Sequence, residues 1–146
     1  MAAMAILTAS DEAAVRKEFE RFGAHPVKLT VFSQGLVAGN LCRQNEQLVR
    51  EVAALDDRIT VEVLNPQIDR ERTEGYGIDQ VPAIVVEGAR DYGIRFFGIP
   101  SGYEFTNLID SIVVASTGEP DLSAETKTAL AELPAPVHIR VFSTPT

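Results

Sequence analysis

Apolar side chains recur at two intervals along this chain, and these intervals predict alternating helices and strands. Short runs that alternate or are rich in β-branched residues predict strands at 27–32, 59–64, 82–86, 93–97 and 137–142. Apolar residues three or four positions apart predict helices over 8–22, about 40–55, two turns after 66, 101–117 and 123–133. The order β-α-β-α-β-β-α after a first helix indicates an α/β fold, with a mixed sheet flanked by helices.

Local motifs predict where several elements begin. Thr8-x-x-Asp11 and Ser101-x-x-Glu104 have the spacing of capping boxes, in which side chains satisfy the free N–H groups at a helix start. The polar stretch 87–91 has the length of a hairpin loop, so the strands on either side should pair antiparallel. A loop over 33–39 would place Cys42 in the first turn of the second helix.

Eight residues near the end of the chain repeat eight residues near its start. Pro26–Ser33 and Pro136–Ser143 are identical at five of eight positions, with an offset of 110 residues. We interpret this as a duplicated unit, the alternative being a coincidence between two strands of similar composition. The prediction is a domain over 1–118, followed over 119–146 by a linker helix and the first strand of a truncated second unit. Such a strand would add to a sheet edge, fray or bind another chain, including a second copy in a homodimer.

Composition excludes several classes of function. The net charge of -8 and the scattering of the 13 basic residues disfavour nucleic-acid partners and anionic membranes. No apolar run approaches the roughly 20 residues of a membrane helix, and Met1–Leu7 lacks a basic leader, so we expect a cytoplasmic protein. The single cysteine and two distant histidines predict no internal disulfide and no metal cofactor.

Three further groups of residues have ordinary structural interpretations. The segment 35–39 lacks the glycine spacing of a nucleotide-binding loop and is expected to be a plain connection. A second group is acidic and should form a solvated helix face: Glu12, Glu18 and Glu20. The third group is aromatic and should pack in the core and the hairpin: Tyr76, Phe96, Phe97 and Tyr103.

Several segments together resemble a known family: 27–33, the helix around Cys42, Asp79–Ala83 and Ile94–Phe105. They resemble the first unit of the glutaredoxin-like protein disulfide oxidoreductases, which have two tandem thioredoxin-fold units. The part from Arg95 to Phe105 is also similar to the N-terminal domain of the alkyl hydroperoxide reductase flavoprotein subunit. The resemblance implies a thioredoxin-like (glutaredoxin-like) fold and a role in thiol–disulfide exchange. In both relatives a Cys-x-x-Cys pair opens the second unit, so a chain ending at Thr146 would stop just short of it.

The first unit departs from the family at the position that carries its chemistry. The resemblance aligns Cys42 with the second cysteine of Cys-x-x-Cys and Gly39 with the first, which leaves Gly39-Asn40-Leu41-Cys42. One thiol cannot form an intramolecular disulfide, so the expected unit is redox-degenerate and serves structure or substrate docking. Two alternatives stay open: a non-catalytic binding module, and monothiol activity with Cys42 as catalytic residue and glutathione as substrate. The plain interpretation of Cys42 is a small buried hydrophobic residue.

Val81-Pro82 stands directly before a predicted strand. The resemblance implies a cis peptide here, beside the helix start, with the backbone before the proline pairing with an extended peptide or glutathione. Val81 and Pro82 are therefore the candidate substrate-binding residues, and the expected partner is a protein thiol, a disulfide or an extended peptide. The alternative is a rigid start of the strand that binds no ligand. No bound cofactor is expected.

Overall fold

The computed structural model describes residues 4–144, except the side chain of Val37. The expectations about a leader at Met1–Ala3 and about Pro145 and Thr146 lie outside the described residues. The helices are α1 (Ala9–Glu18), α2 (Gly35–Ala53), α3 (Arg70–Gly75), α4 (Tyr103–Thr117) and α5 (Ala124–Ala131). The strands are β1 (Val27–Phe32), β2 (Ile59–Leu64), β3 (Ala83–Glu87) and β4 (Asp91–Phe97).

The four strands form one mixed sheet in the order β2-β1-β3-β4, which confirms the predicted fold class. β1 pairs parallel with β2, from Val27 opposite Ile59 to Phe32 opposite Leu64. β3 pairs antiparallel with both β1 and β4, and β3 and β4 form the predicted hairpin. β2 and β4 are the outer strands of the sheet.

Apolar side chains that alternate along the strands form two buried clusters of unequal size, one on each face of the sheet. On one face, Leu29, Ile84 and their neighbours pack with side chains of α1, α2 and α4. On the other face a smaller cluster lies beside the short α3 and contains Phe32, Leu64, Ile78, Ala83 and Val85. Burying each large apolar side chain contributes about 1.5–3 kcal/mol, so the first face carries most of the apolar stabilisation. Within residues 4–144, no helix has both the length and the apolar composition needed to cross a bilayer.

The end of α4 is tied to two turns that reach it from elsewhere in the chain. The backbone N–H of Gly23 donates to Ser116 Oγ at 2.8 Å, and the N–H of His25 donates to the Ser116 carbonyl at 3.0 Å. Gly88, in the β3–β4 turn, lies against the carbonyl of Ala115. A side chain at either glycine would overlap with the backbone of α4, because a Cβ atom would lie within 2.5 Å of a carbonyl oxygen.

Helix starts agree with the sequence at one motif and differ at another. Thr8 and Asp11 form the predicted capping box, each side chain accepting the other's backbone N–H at 3.2 and 2.9 Å. The predicted capping box at Ser101 and Glu104 is wrong. The N-cap of α4 is Gly102, which has a φ of 62° and no side chain that could cap the helix. Because the chain turns at this glycine, Ser101 accepts the N–H of Glu104 with its backbone carbonyl, not with its side chain.

The predicted connection over 33–39 is also wrong, because α2 already begins at Gly35. The segment contains no proline, so a helix can begin at Gly35 even though no N-cap side chain bonds to it. The helix is interrupted at Ala38, where φ is -132° and ψ is 39°. Cys42 therefore lies in the first turn after this kink, and not in the first turn of the helix.

The segment 137–142 is not a strand in this structure, contrary to the sequence pattern. Its side chains are exposed, and it makes no backbone hydrogen bond within residues 4–144. A strand needs a neighbour for its N–H and C=O groups, and in this chain the copy of the same sequence at 27–32 already occupies the centre of the sheet. The assignment of 119–146 to a second unit stays a prediction.

Candidate functional site

Cys42 is buried, with 1% of its surface exposed. Its Sγ atom accepts the backbone N–H of Gln34 at 3.4 Å, across the first turns of α2. The thiol thus supplies a partner to a backbone group at the helix start, where N–H groups otherwise lack one. A thiol in this position is shielded from a substrate disulfide.

Gly39 lies three residues before Cys42, directly after the kink at Ala38. A Cβ atom built on Gly39 would lie 3.5 Å from Nη1 of Arg43, which is an ordinary contact distance. Residues three apart on a helix are neighbours. The backbone therefore has the geometry for a second side chain beside Cys42, but the glycine leaves that position without a functional group.

Val81 and Pro82 lie at the start of β3, and the peptide bond between them is cis. Pro82 is buried, and its carbonyl accepts the N–H of Gly98 at 2.9 Å. Val81 is partly buried and packs against the smaller apolar cluster. Its own backbone N–H and C=O make no backbone hydrogen bond within residues 4–144.

Strand pairing brings the two candidate segments to the same end of the sheet. Phe32 at the end of β1 lies opposite Ala83 at the start of β3, so the next residues outward are Ser33 and Pro82. α2 begins two residues after Ser33. The kinked start of α2 and the Val81–Pro82 peptide therefore border one end of the sheet.

The sequence did not reveal a polar network formed by Lys28, Tyr76 and Glu87 on the α3 side of the sheet. The Tyr76 hydroxyl donates to Glu87 Oε2 at 2.9 Å, and Lys28 Nζ lies 3.1 Å from both groups. The hydrogen bond to the Tyr76 hydroxyl and the contact with the Glu87 carboxylate raise the pKa of the Lys28 amine, and they outweigh partial burial, which lowers it. Tyr76 also packs edge-on against Phe32, with ring centroids 5.8 Å apart. Tyr76 was expected only as a core aromatic residue. Its polar contacts depend on the register between β1 and β3, which places Lys28 opposite Glu87.

A second feature missed from sequence is the attachment of the N-terminal segment to α2. Glu51 accepts the backbone N–H groups of Ile6 and Leu7 at 2.9 and 2.8 Å, and Gln47 donates to the Met4 carbonyl at 2.8 Å. A cavity of about 610 Å³ lies between this segment, α2 and residues 99–105. The Glu51 carboxylate accepts two consecutive N–H groups, that of Ile6 at both oxygens and that of Leu7 at Oε2, and so fixes the segment over the helix.

The remaining candidates lie apart from the site. Within the described part of the chain, no three His, Cys, Asp or Glu side chains are grouped so that they could hold a metal ion. Tyr103 was expected to pack in the core, but it is exposed at the start of α4, and Phe97 is also partly exposed. Phe97 faces Ala83 across the hairpin and so borders the Val81–Pro82 segment.

No family model matches this chain. A curated relative, a probable thioredoxin from Methanothermobacter thermautotrophicus, is 39% identical over 54 residues, which is 37% of this chain and 59% of that protein.

Solved structures cover more of the chain. The NTD_N/C domain of alkylhydroperoxide reductase AhpF from Enterococcus faecalis (V583) superposes with a TM-score of 0.77 and 25% identity, over 88% of this chain and 61% of that one. A protein disulfide oxidoreductase from Aeropyrum pernix K1 has a TM-score of 0.70 and 22% identity, over 86% and 55%. This chain thus spans less than two thirds of each relative.

Proposed function

Since this chain has the thioredoxin-like fold, we propose that it is a unit of a thiol–disulfide oxidoreductase that docks an extended peptide and performs no dithiol chemistry itself. The observation that carries the proposal is the state of Cys42, the single cysteine of the sequence, which is buried and bonded to the Gln34 N–H. The neighbouring position that could hold a second thiol is Gly39.

Dithiol exchange needs two thiols for its balance. A thiolate attacks the substrate disulfide and releases one substrate thiolate, and a second thiol then attacks the mixed disulfide and releases the other. Cys42 alone could at best complete the first step, and its Sγ is enclosed at the start of α2. We therefore assign this unit a docking role.

The docking surface in this proposal consists of the Val81 backbone and the side chain of Phe97. The N–H and C=O of Val81 make no backbone hydrogen bond within the described residues, so an extended peptide can pair with them as an added strand does. Phe97 offers an apolar contact next to that backbone, because β4 places it opposite Ala83.

We further propose that the dithiol of the working enzyme lies in a second unit. The repetition of Pro26–Ser33 at Pro136–Ser143 and the greater length of the similar structures support this arrangement. The unpaired cysteine fits a reducing compartment, and we propose a cytoplasmic location.

Thiol labelling tests the redox part of the proposal. We expect Cys42 to react with iodoacetamide and with glutathione disulfide at rates that rise by orders of magnitude when a denaturant unfolds the chain. The folded chain should not catalyse the reduction of insulin by dithiothreitol. Rapid formation of a mixed disulfide with glutathione in the folded chain would overturn this part and favour monothiol chemistry.

Peptide binding tests the docking part. The probe is carboxymethylated insulin B chain, which is extended and has no free thiol. We expect its addition to shift the amide resonances of Val81, Ala83 and Ser33, and Phe97→Asp to weaken binding at least tenfold. Ile68→Asp is the matched control, because Ile68 is also exposed but lies before α3. Equal effects of the two substitutions, or no shifts at these residues, would contradict docking at this surface.

A further inference from the structure

A groove of about 560 Å³ lies between α1 and α4 and adjoins the cavity between the N-terminal segment and α2. Asp11 and Phe105 line both spaces, so the groove and the cavity meet at these side chains. The floor of the groove is apolar, because Val15 and Ile109 are buried there and Phe105 is partly buried. Together the two spaces form one long apolar surface.

The walls of the groove favour a helical occupant. They are the surfaces of two helices, whose interior backbone N–H and C=O groups already bond within each helix. An extended segment finds no strand edge here with which to pair, whereas a helix satisfies its own backbone groups. From Asp11 to Glu18 the groove follows α1 for about 10 Å, which corresponds to two turns of a helix laid beside it.

Carboxylates border the groove on both helices. Asp11 and Glu18 belong to α1, and Asp110 belongs to α4. Among the described lining residues, Lys17 is the only cationic side chain. Glu18 pairs with Arg21, but Asp11 and Asp110 form no ion pair within residues 4–144. The groove is therefore negative, and a cationic occupant complements it.

Large apolar side chains continue this surface beyond the groove. Met4 lines the adjoining cavity and is 92% exposed, and Leu41 lies one turn of α2 before Gln44, another lining residue. Tyr103 is 83% exposed and directly follows Gly102, which lines the same cavity. Exposed apolar groups around an apolar groove are typical of protein interaction sites. The extent of the surface favours a macromolecular partner over a small ligand.

The groove lies away from the point where the chain leaves the first domain. It begins beside Phe105 in the first turn of α4, whereas the chain continues towards 119–146 from the other end of this helix, at Gly118. The 15 residues of α4 span about 22 Å. None of the described residues after Gly118 lines the groove or the cavity. The surface is thus built entirely from the first domain.

We propose that this groove binds a basic amphipathic helix of a partner protein. Apolar side chains three or four positions apart on that helix pack on Val15, Phe105 and Ile109. Lysine or arginine on its flanks faces Asp11 and Asp110, which steers the partner and sets its orientation. The proposal is independent of the peptide-docking function proposed above.

Binding of a synthetic helix tests the class of occupant. The probe is a peptide of about four helical turns, with leucine at every third or fourth position and lysine on both sides of that stripe. We expect it to gain helix content on binding and to shift the amide resonances of Val15, Phe105 and Ile109. The same peptide with glutamate in place of lysine should bind at least about tenfold more weakly. Equal affinities of the two peptides, or shifts confined to other residues, overturn the proposal.

Two neutral substitutions on α1 test the place of binding. Ala14 is exposed and lines the groove, whereas Ala13 is exposed outside it. Ala14→Gln should weaken peptide binding at least about fivefold, because the longer side chain occupies the groove. Ala13→Gln should leave the affinity unchanged. Both changes lose the same helix propensity, so stability should fall equally in the two variants. Equal affinities of the two variants contradict binding in this groove.

A charge reversal tests the role of the carboxylates. Asp110→Lys should weaken binding of the lysine peptide at least about fivefold in dilute salt, and less as the salt concentration rises. Glu125→Lys is the matched control, because it changes the net charge equally on α5, away from the groove. Equal effects of the two substitutions overturn the assignment of a cationic partner to this site.

Two further measurements distinguish other occupants of the groove. Light scattering should give the same mass for the unsubstituted chain and for Ala14→Gln. A mass of two chains that this substitution reduces to the single-chain 15.9 kDa assigns the groove to a second copy. The small amine 2-phenylethylamine, at the concentration used for the peptide, should leave the amides of Val15, Phe105 and Ile109 unshifted. Shifts as large as those caused by the peptide assign the groove to a small ligand. Either result overturns the proposal of a partner helix.

Discussion

A Cβ atom on Gly88 would lie 1.9 Å from the carbonyl oxygen of Ala115. The β3–β4 turn thus approaches the backbone of α4 so closely that only a hydrogen atom fits between them. The contact fixes the position of the β3–β4 turn against the helix. Backbone atoms on both sides prevent adjustment by a change of rotamer.

Gly88→Ala should therefore lower the free energy of unfolding by at least about 2 kcal/mol, because either the turn or α4 must move. Chemical denaturation measures this change. Gly75→Ala is the control: the glycine ends α3 with nothing within 4 Å of an added Cβ. It should leave stability unchanged or raise it slightly, through better helix propensity. Equal stability of the two variants would show that the turn is not held against α4.

Gly39→Cys should create a working dithiol with Cys42. The added Cβ makes only an ordinary contact with Arg43, and Cα atoms three residues apart on a helix are within the range that a disulfide spans. We expect a mass loss of two hydrogens on oxidation and measurable reduction of insulin. Gly35→Cys supplies a second cysteine at an equally open position, but seven residues from Cys42, and should give neither result.

Glu51→Ala should release the N-terminal segment from α2. Partial burial acts to raise the pKa of Glu51, but hydrogen bonds from Leu7, Gln47 and Ile6 outweigh it, and the pKa lies below the ordinary value. Loss of these bonds should cost about 1–2 kcal/mol. Hydrogen exchange at the Ile6 and Leu7 amides should become faster.

The matched control for this change is Glu46→Ala. Glu46 forms an ion pair with Arg50 on the same helix and does not bind the N-terminal segment. Its loss should leave exchange at Ile6 and Leu7 unaltered. Faster exchange in both variants would mean that α2 as a whole, and not the carboxylate of Glu51, controls the segment.

Asp91 should contribute to stability at neutral pH and lose that contribution in acid. The Arg95 guanidinium binds the carboxylate and lowers the pKa of Asp91 from 3.8 to about 2. A folded-state pKa below the unfolded value gives stability that is nearly complete above about pH 5 and is lost as the pH falls through 2. Asp91→Asn should cost about 1 kcal/mol at pH 7, allowing for the exposure of the carboxylate, and only a small part of that at pH 2. Urea denaturation at both pH values measures the difference.

Elements of the fold could be predicted where a local pattern agreed with the packing. The alternation in 27–32 and the apolar spacing around Ile109 and Ile112 both correspond to faces that are buried in the structure. The strand at 137–142 could not be predicted correctly, because the pattern describes side chains and a strand also needs a partner. At Ser101 the pattern was overridden by the backbone turn at Gly102.

The sequence revealed which residues form the candidate site, but it did not reveal the contacts that these residues make. The absence of a second cysteine beside Cys42 is visible in the sequence, and so is the proline at 82. The Gln34 N–H that binds Cys42 Sγ is a backbone group, which no side-chain pattern reveals. The contacts of Tyr76 with Lys28 and Glu87 depend on which strands are neighbours, and this order follows from the complete fold.

The two faces of the sheet differ in how they should respond to ionic strength. The face with α1, α2 and α4 is held by apolar burial, which dilute salt hardly affects. The face with α3 is held in addition by ion pairs, including Arg72 with Glu62 and Lys28 with Glu87, and mobile ions screen such pairs within about 10 Å at 0.1 M salt. We therefore expect moderate salt to weaken the ion pairs beside α3 and Tyr76 while it leaves the apolar packing of the three-helix face almost unchanged.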